Sequence, residues 1–282
     1  MPSSTIDVPI TFTTADGDAV HSPTVDAVVG GVATKLVVDT GASDHVLTIE
    51  LARRIGLRLE PTDPGTDVSG AAVPSWYAGE VPLSFGDEGG PIDVLRDVVA
   101  IDGPPPFARW GIGGIVSPQR LHPSGIVVLD LGRDVLTIGG AADAADAVDV
   151  AGVPAASWIA VDVQRHRGGV LCVDAAVAPF EPCSMFLDSG AGGTDVDHTA
   201  VPGSAGDVLS NPLLVVAGVA FPLAALHVSD RIPPPEGSTD NGAPHGLIGM
   251  DVMKGTVLVI PPVSGDKGVQ WLVRSPAANT TP

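Results

Sequence analysis

Positive charge is scarce in this chain. Over 282 residues, 14 Lys and Arg stand against 33 Asp and Glu, a formal net charge of −19. A surface of that sign repels phosphate backbones and anionic headgroups, so neither nucleic acid nor a membrane is expected as a partner. Long apolar runs are missing too: no stretch approaches the ~20 residues of a membrane-spanning helix. The N-terminus (Met1-Pro2-Ser3-Ser4-Thr5) has no basic n-region and no apolar h-region of a signal peptide. The corresponding expectation is a cytoplasmic protein, or a secreted one whose leader has been removed. Cysteine is limited to Cys172 and Cys183, which bracket an apparent turn at residues 179–182. A disulfide between them and two separate buried thiols are both open readings.

Several familiar catalytic patterns are also lacking. There is no His-Glu-x-x-His and no Gly-x-Ser-x-Gly elbow, and the histidines, His45 and His245 among them, are scattered. Gly111-Ile112-Gly113-Gly114 lacks the spacing and βαβ context of a dinucleotide site. Thr194-Asp195-Val196-Asp197-His198 offers metal-ligand residue types, but no second cluster completes a site. Neither metal nor cofactor is expected.

What is abundant is turn chemistry. With Gly 35 and Pro 27 separating short valine-rich runs, the chain reads as mostly β with few short helices. One helix is predicted at 49–55, with Thr48 as its cap and Arg53-Arg54 at its C-terminal end. The stretch that organises the rest is Leu36-Val37-Val38-Asp39-Thr40-Gly41-Ala42-Ser43, where an apolar strand delivers a carboxylate to a tight loop. It recurs as Met185-Phe186-Leu187-Asp188-Ser189-Gly190-Ala191-Gly192, with Asp188 placed 149 residues after Asp39. Each copy follows a predicted hairpin. Each is followed by further strands, an apolar glycine turn (at Gly114 and at Gly249) and a closing hairpin. The chain is therefore an internal duplication. Residues 1–150 form one lobe and residues 151–282 the other, divided in the Gly-, Ala- and Asp-rich stretch 139–156.

An approximate two-fold axis brings equivalent loops face to face, and here the equivalent residues are carboxylates. Two carboxylates about 3 Å apart cannot both ionise, so the pair shares a proton. One member then acts as base on water while the other acts as acid toward a carbonyl oxygen. Gly41 and Gly190 let backbone N–H groups approach the carboxylates, and the hydroxyls of Thr40 and Ser189 can bond across the loops. A lone Asp-(Ser/Thr)-Gly arises by chance roughly once in ten chains of this length. Two copies in matching contexts point to chemistry.

On these residues the chain resembles the two-lobed aspartic proteases of the pepsin type. Val38-Asp39-Thr40-Gly41-Ala42-Ser43 and Leu187-Asp188-Ser189-Gly190-Ala191 match the paired motif, and the Gly114 and Gly249 turns match the family's hydrophobic-hydrophobic-Gly elements. From Asp39 through Leu57 the run is more similar to single-lobe, retropepsin-like proteases. The resemblance implies a mostly β, two-lobed, pseudo-two-fold acid-protease fold and an aspartic endopeptidase. It also implies Asp39 and Asp188 as catalytic residues, supported by Thr40, Gly41, Ser189 and Gly190. The implied partner is a peptide or protein substrate, bound by a monomer. A catalytically silent peptide-binding or inhibitor protein of the same fold is the alternative.

The departures carry information. Gly113 is aligned with Ile248, which makes the first turn less apolar than the family pattern. Ala42 and Ala191 stand where pepsins often carry a hydroxyl that bonds the carboxylate and where retropepsins have Ala; this predicts an optimum nearer neutral pH. Val68-Ser69-Gly70-Ala71-Ala72 is the candidate flap, with Ser69 and Gly70 at its turn and Tyr77 as its candidate aromatic. Trp158 is similar to the tryptophan that starts the family's interlobe crossing strand, where its role is core packing.

Overall fold

The computed structural model describes residues 5–15, 18–67, 71–85, 93–121, 125–139, 158–166, 169–230, 244–262 and 268–274. Apart from Gly139, the expected lobe boundary lies outside these residues, as do Ser69 and Gly70 of the expected flap turn.

Two sets of strands follow one plan. In the first, Asp18–Val29 turns at Gly30 and Gly31 and pairs antiparallel with Val32–Val38. Both glycines adopt the left-handed conformation, with φ of 55° and 81°, which a side chain would resist. Val32–Val38 runs parallel to Ile112–Val116, which pairs antiparallel with Val46–Thr48. Val46–Thr48 is in turn parallel to Asp93–Ile101. Ser75–Ser84 pairs with Asp93–Ile101 on one side and meets Asp18–Val29 at Val28 and Val29 on the other. These pairings close on themselves, which removes free strand edges.

The second set repeats the senses in order. Leu171–Val177 is antiparallel to Cys183–Leu187, and Cys183–Leu187 is parallel to Gly246–Ile248. Gly246–Ile248 is antiparallel to Asp195–Asp197, which is parallel to Ala225–Ser229.

An antiparallel sheet, continuous with each set through its outer strands, joins the two sets. Its order is Ile6–Ala15, Val135–Gly139, Ile126–Asp130, Val257–Ile260, Val269–Arg274 and Trp158–Arg165. The predicted closing hairpins of the two halves meet at its centre, where Val128 faces Val259 and Leu129 faces Leu258. Trp158 starts the outer strand and packs on a cluster of Ile126, Val128, Val257, Val259 and Leu272. The core is aliphatic, as the shortage of aromatics requires. Leu36, Leu47, Leu83, Leu95, Leu129, Leu136, Leu187 and Leu214 are fully buried, and each such side chain contributes about 1.5–3 kcal/mol. Trp271 is the exception in size; its Nε1 donates to Thr256 Oγ1 at 2.8 Å, which satisfies its one polar atom.

The predicted helix forms at Ile49–Arg54, with Thr48 Oγ1 accepting from Leu51 N at 3.2 Å. A helix at Pro105–Trp110, ended by left-handed Gly111, was not expected, because its apolar residues show no helical period. The glycine-rich segment before Ser117 is a strand, Ile112–Val116, rather than a turn.

That strand also corrects the matching of the two halves. Val116 pairs with Val38 as Ile248 pairs with Leu187, and Gly114 faces Leu47 as Gly246 faces Val196. Gly114 therefore corresponds to Gly246, and Ser117, not Gly114, stands where the other half has Gly249. Val116, not Gly113, occupies the place of Ile248, so the first half is as apolar there as the second. Close strand approach explains the two corresponding glycines: a Cβ would lie 2.2 Å from Val46 O at Gly114 and 2.8 Å from Asp195 O at Gly246.

Cys172 and Cys183 are free thiols. Cys172 faces Phe186 and Cys183 faces Ala175 in the same hairpin, so the ladder holds them three positions apart. Burial pushes the Cys172 thiol up to about 12 and the Cys183 thiol up to about 11.

Candidate active site

Each motif aspartate sits one residue past the end of a buried strand. Asp39 N–H donates to Val116 O at 3.0 Å, and Asp188 N–H donates to Ile248 O at 3.0 Å. The chain then turns so that the next amides face back on the carboxyl group. Gly41 N–H donates to Asp39 Oδ1 at 2.8 Å, and Gly190 and Ala191 N–H donate to Asp188 Oδ1 at 2.9 and 3.1 Å. Glycine is needed in both loops because they cross closely. A Cβ on Gly41 would lie 2.6 Å from Asp188 Cγ, and a Cβ on Gly190 would lie 2.5 Å from Asp39 Oδ2.

The loops are clasped by their hydroxyls. Thr40 Oγ1 donates to Leu187 O at 2.6 Å and accepts from Ser189 N–H at 2.9 Å. Ser189 Oγ donates to Val38 O at 2.7 Å and accepts from Thr40 N–H at 3.0 Å. Both residues are fully buried, so every polar group in this exchange has been taken from water and paired.

The carboxyl groups of Asp39 and Asp188 thus face each other across the loop crossing, close enough for each to act on the other's ionisation. Each aspartate keeps part of its surface open while protein crowds the carboxyl itself. Burial raises the Asp188 carboxyl well above the ordinary carboxylate range, and the neighbouring Asp39 charge adds to the rise. Burial also raises Asp39, opposed by N–H donation from Gly41 and by the neighbouring Asp188. The two groups thus favour holding a proton between them.

Four further side chains support the aspartate loops or the strands behind them, in roles that the sequence did not suggest. His45 Nδ1 accepts from Ser117 N–H at 3.2 Å, as Thr194 Oγ1 accepts from Gly249 N–H at 3.2 Å in the other half. Gln119 Nε2 donates to Thr40 O at 3.0 Å and Ala42 O at 2.9 Å. Ser22 Oγ donates to Gly190 O at 2.7 Å. Matching Ile115-Val116-Ser117-Pro118-Gln119 with Leu247-Ile248-Gly249-Met250-Asp251 would have drawn attention to Gln119. Nothing in the sequence marks Ser22.

Of the expected flap, the stems Gly65–Thr66 and Ala72–Val73 pair as a small separate hairpin. Tyr77 lies on Ser75–Ser84 opposite Val99 and Glu60, with its side chain 43% exposed.

Comparison with known proteins bears on this arrangement. Residues 25–100 match the family model described as aspartyl protease (Asp_protease_2). No curated protein matches. Among solved structures, the aspartic proteinase from Irpex lacteus superposes with a TM-score of 0.51 at 13% identity, covering 99% of this chain and 100% of that one. The fold is that of a pepsin-like aspartic protease. Within this pepsin-like fold, the duplicated motifs supply the two facing loops, and the six-stranded sheet is the floor joining the halves.

Proposed function

We propose that the chain is an aspartic endopeptidase in which Asp39 and Asp188 are the catalytic residues. The observation that carries this reading is the crossing of two clasped loops that brings Asp39 and Asp188 face to face, each carboxyl lying against the other loop's glycine, with burial raising both carboxyls. With one proton shared, the ionised carboxylate takes a proton from water as the water oxygen bonds to the scissile carbonyl carbon. The other carboxyl gives its proton to the carbonyl oxygen. The resulting gem-diol collapses with cleavage of the C–N bond, and a proton passes to the leaving nitrogen. Thr40, Gly41, Ser189 and Gly190 hold the loops in register during these transfers. The substrate is an extended peptide bound by strand-like backbone hydrogen bonds, and Ser69, Gly70 and Tyr77 are proposed as its flap-side contacts.

Hydrolysis of a denatured protein across pH 3–8, compared between the wild type and Asp39→Asn, tests the proposal. The variant is expected to lose at least about 100-fold in rate, the lower end of what general acid–base catalysis contributes. Equal rates would favour the silent binding protein of the same fold. A pentapeptide statin, which mimics the tetrahedral intermediate, is expected to bind the wild type and not Asp39→Asn. With Ala42 and Ala191 beside the pair, the maximum is expected nearer neutral than pH 2.

A further inference from the structure

Two side chains from outside the repeated motif reach the aspartate loops in a common manner. Gln119, in the short 3-10 helix Pro118–Arg120, is buried and donates its amide to the carbonyl oxygen of Thr40. That oxygen belongs to the peptide unit whose other end is Gly41 N–H, the donor to Asp39 Oδ1. In the other loop, Ser22 Oγ donates to the carbonyl oxygen of Gly190. That oxygen belongs to the peptide unit whose N–H is that of Ala191, a donor to Asp188 Oδ1. Each carboxyl therefore accepts a hydrogen bond from a peptide whose far end is held by a side chain of the first half. The repeat did not dictate this: the residue matching Gln119 is Asp251, which accepts from Thr194 rather than donating to a loop carbonyl.

We propose that Gln119 and Ser22 are positioning residues, which orient and polarise these two peptide units so that their N–H groups hold the negative charge of the Asp39–Asp188 pair. The inference rests on the dyad reading given above. A peptide unit is planar, with its C=O and N–H pointing in opposite directions. Fixing the oxygen therefore fixes the direction of the hydrogen. Hydrogen bonds in series also polarise one another, and a donor to an ionised acceptor gains most.

Gln119 serves this role at a cost. Its Oε1 is buried without a partner among the described residues, a penalty that an apolar side chain of similar size would avoid. Its NH2 group, by contrast, is fully used, with Ala42 O as the second acceptor. The value of an amide at this position therefore lies in its donors, which are aimed at the Asp39 loop.

The test compares the wild type, Gln119→Leu and Ser22→Ala. Two quantities are followed against pH: kcat and KM on a peptide substrate, and the 13C shifts of the Asp39 and Asp188 carboxyl carbons, assigned with Asp39→Asn and Asp188→Asn. Weaker N–H donors favour the doubly protonated pair, so the acid limb of the rate profile and the first carboxyl titration should both move upward. A rise of about half a pH unit or more is expected in each variant, corresponding to about 0.7 kcal/mol. It should come with a loss in kcat of about tenfold and KM within about twofold. Unchanged carboxyl titrations in both variants overturn the proposal. So does a loss of activity that tracks thermal unfolding while the titrations stay put, since that marks a merely structural role. A wild type without turnover would defeat the enzymatic reading, and the carboxyl titrations would still decide this one. If Gln119→Leu does not fold, Ser22→Ala, at a partly exposed position, carries the test.

Discussion

His45 and Thr194 do the same work in the two halves with different chemistry. Each accepts the N–H of the residue that follows the strand behind its aspartate, Ser117 for His45 and Gly249 for Thr194. His45 is buried, so replacing its ring by an apolar one leaves Ser117 N–H without this acceptor. His45→Phe is therefore expected to lose about 1–3 kcal/mol of stability, the cost of one buried unpaired donor. Urea unfolding at pH 7 measures this, and a stability equal to the wild type's would contradict it.

The hydroxyl exchange between Thr40 and Ser189 gives a second prediction. Thr40→Val leaves Ser189 N–H and Leu187 O without their partner in a fully buried position. The expected destabilisation is about 1–3 kcal/mol for each orphaned group, read from denaturant midpoints. Thr40→Ser and Ser189→Thr keep the hydroxyl and should stay close to wild type.

The aspartate pair makes stability depend on pH in a definite direction. Both carboxyls are raised in the folded state, so folding favours their protonated forms. The benefit is fully present below the ordinary aspartate value of 3.8 and is lost as pH rises through the folded values. Asp188→Asn, which cannot ionise, should therefore be more stable than the wild type at pH 7, with the difference shrinking toward pH 3.5. Unfolding free energies at both ends check the sign.

Gly41→Ala and Gly190→Ala should abolish the site while leaving the sheets intact. In each case the new methyl would fall within 2.6 Å of the opposite aspartate's carboxyl atoms, so the loops must part. Loss of about 100-fold or more in activity with an unchanged far-ultraviolet circular dichroism spectrum is expected, the cost of roughly an ångström of misplacement.

Much of this was legible in the sequence because the chain states its plan twice. Val38-Asp39-Thr40-Gly41 and Leu187-Asp188-Ser189-Gly190 gave the facing loops, and alternating Val and Leu runs gave most strands. Matching Gly114 with Gly249 shifts the two halves by three residues, because glycine is not the marker of the equivalence. In the fold the marker is the apolar pair that lies beside the aspartate strand, Ile115-Val116 and Leu247-Ile248. Ser117 in place of a glycine hides that equivalence. Gln119 and Ser22 were not legible, because their roles depend on distant backbone carbonyls, and a hydrogen bond over 168 residues of chain, as from Ser22 to Gly190, leaves no local pattern.

The route by which Asp188 is fixed also has a consequence for the order of events at the ribosome. Its N–H bonds to Ile248 O, and the floor beneath both loops needs Val257–Ile260 and Val269–Arg274. Asp39 emerges well before these strands and waits for a counterpart that is itself unsupported until they appear. A nascent chain therefore carries no assembled pair until Arg274 has left the ribosome, and whatever chemistry the pair performs begins only after that point.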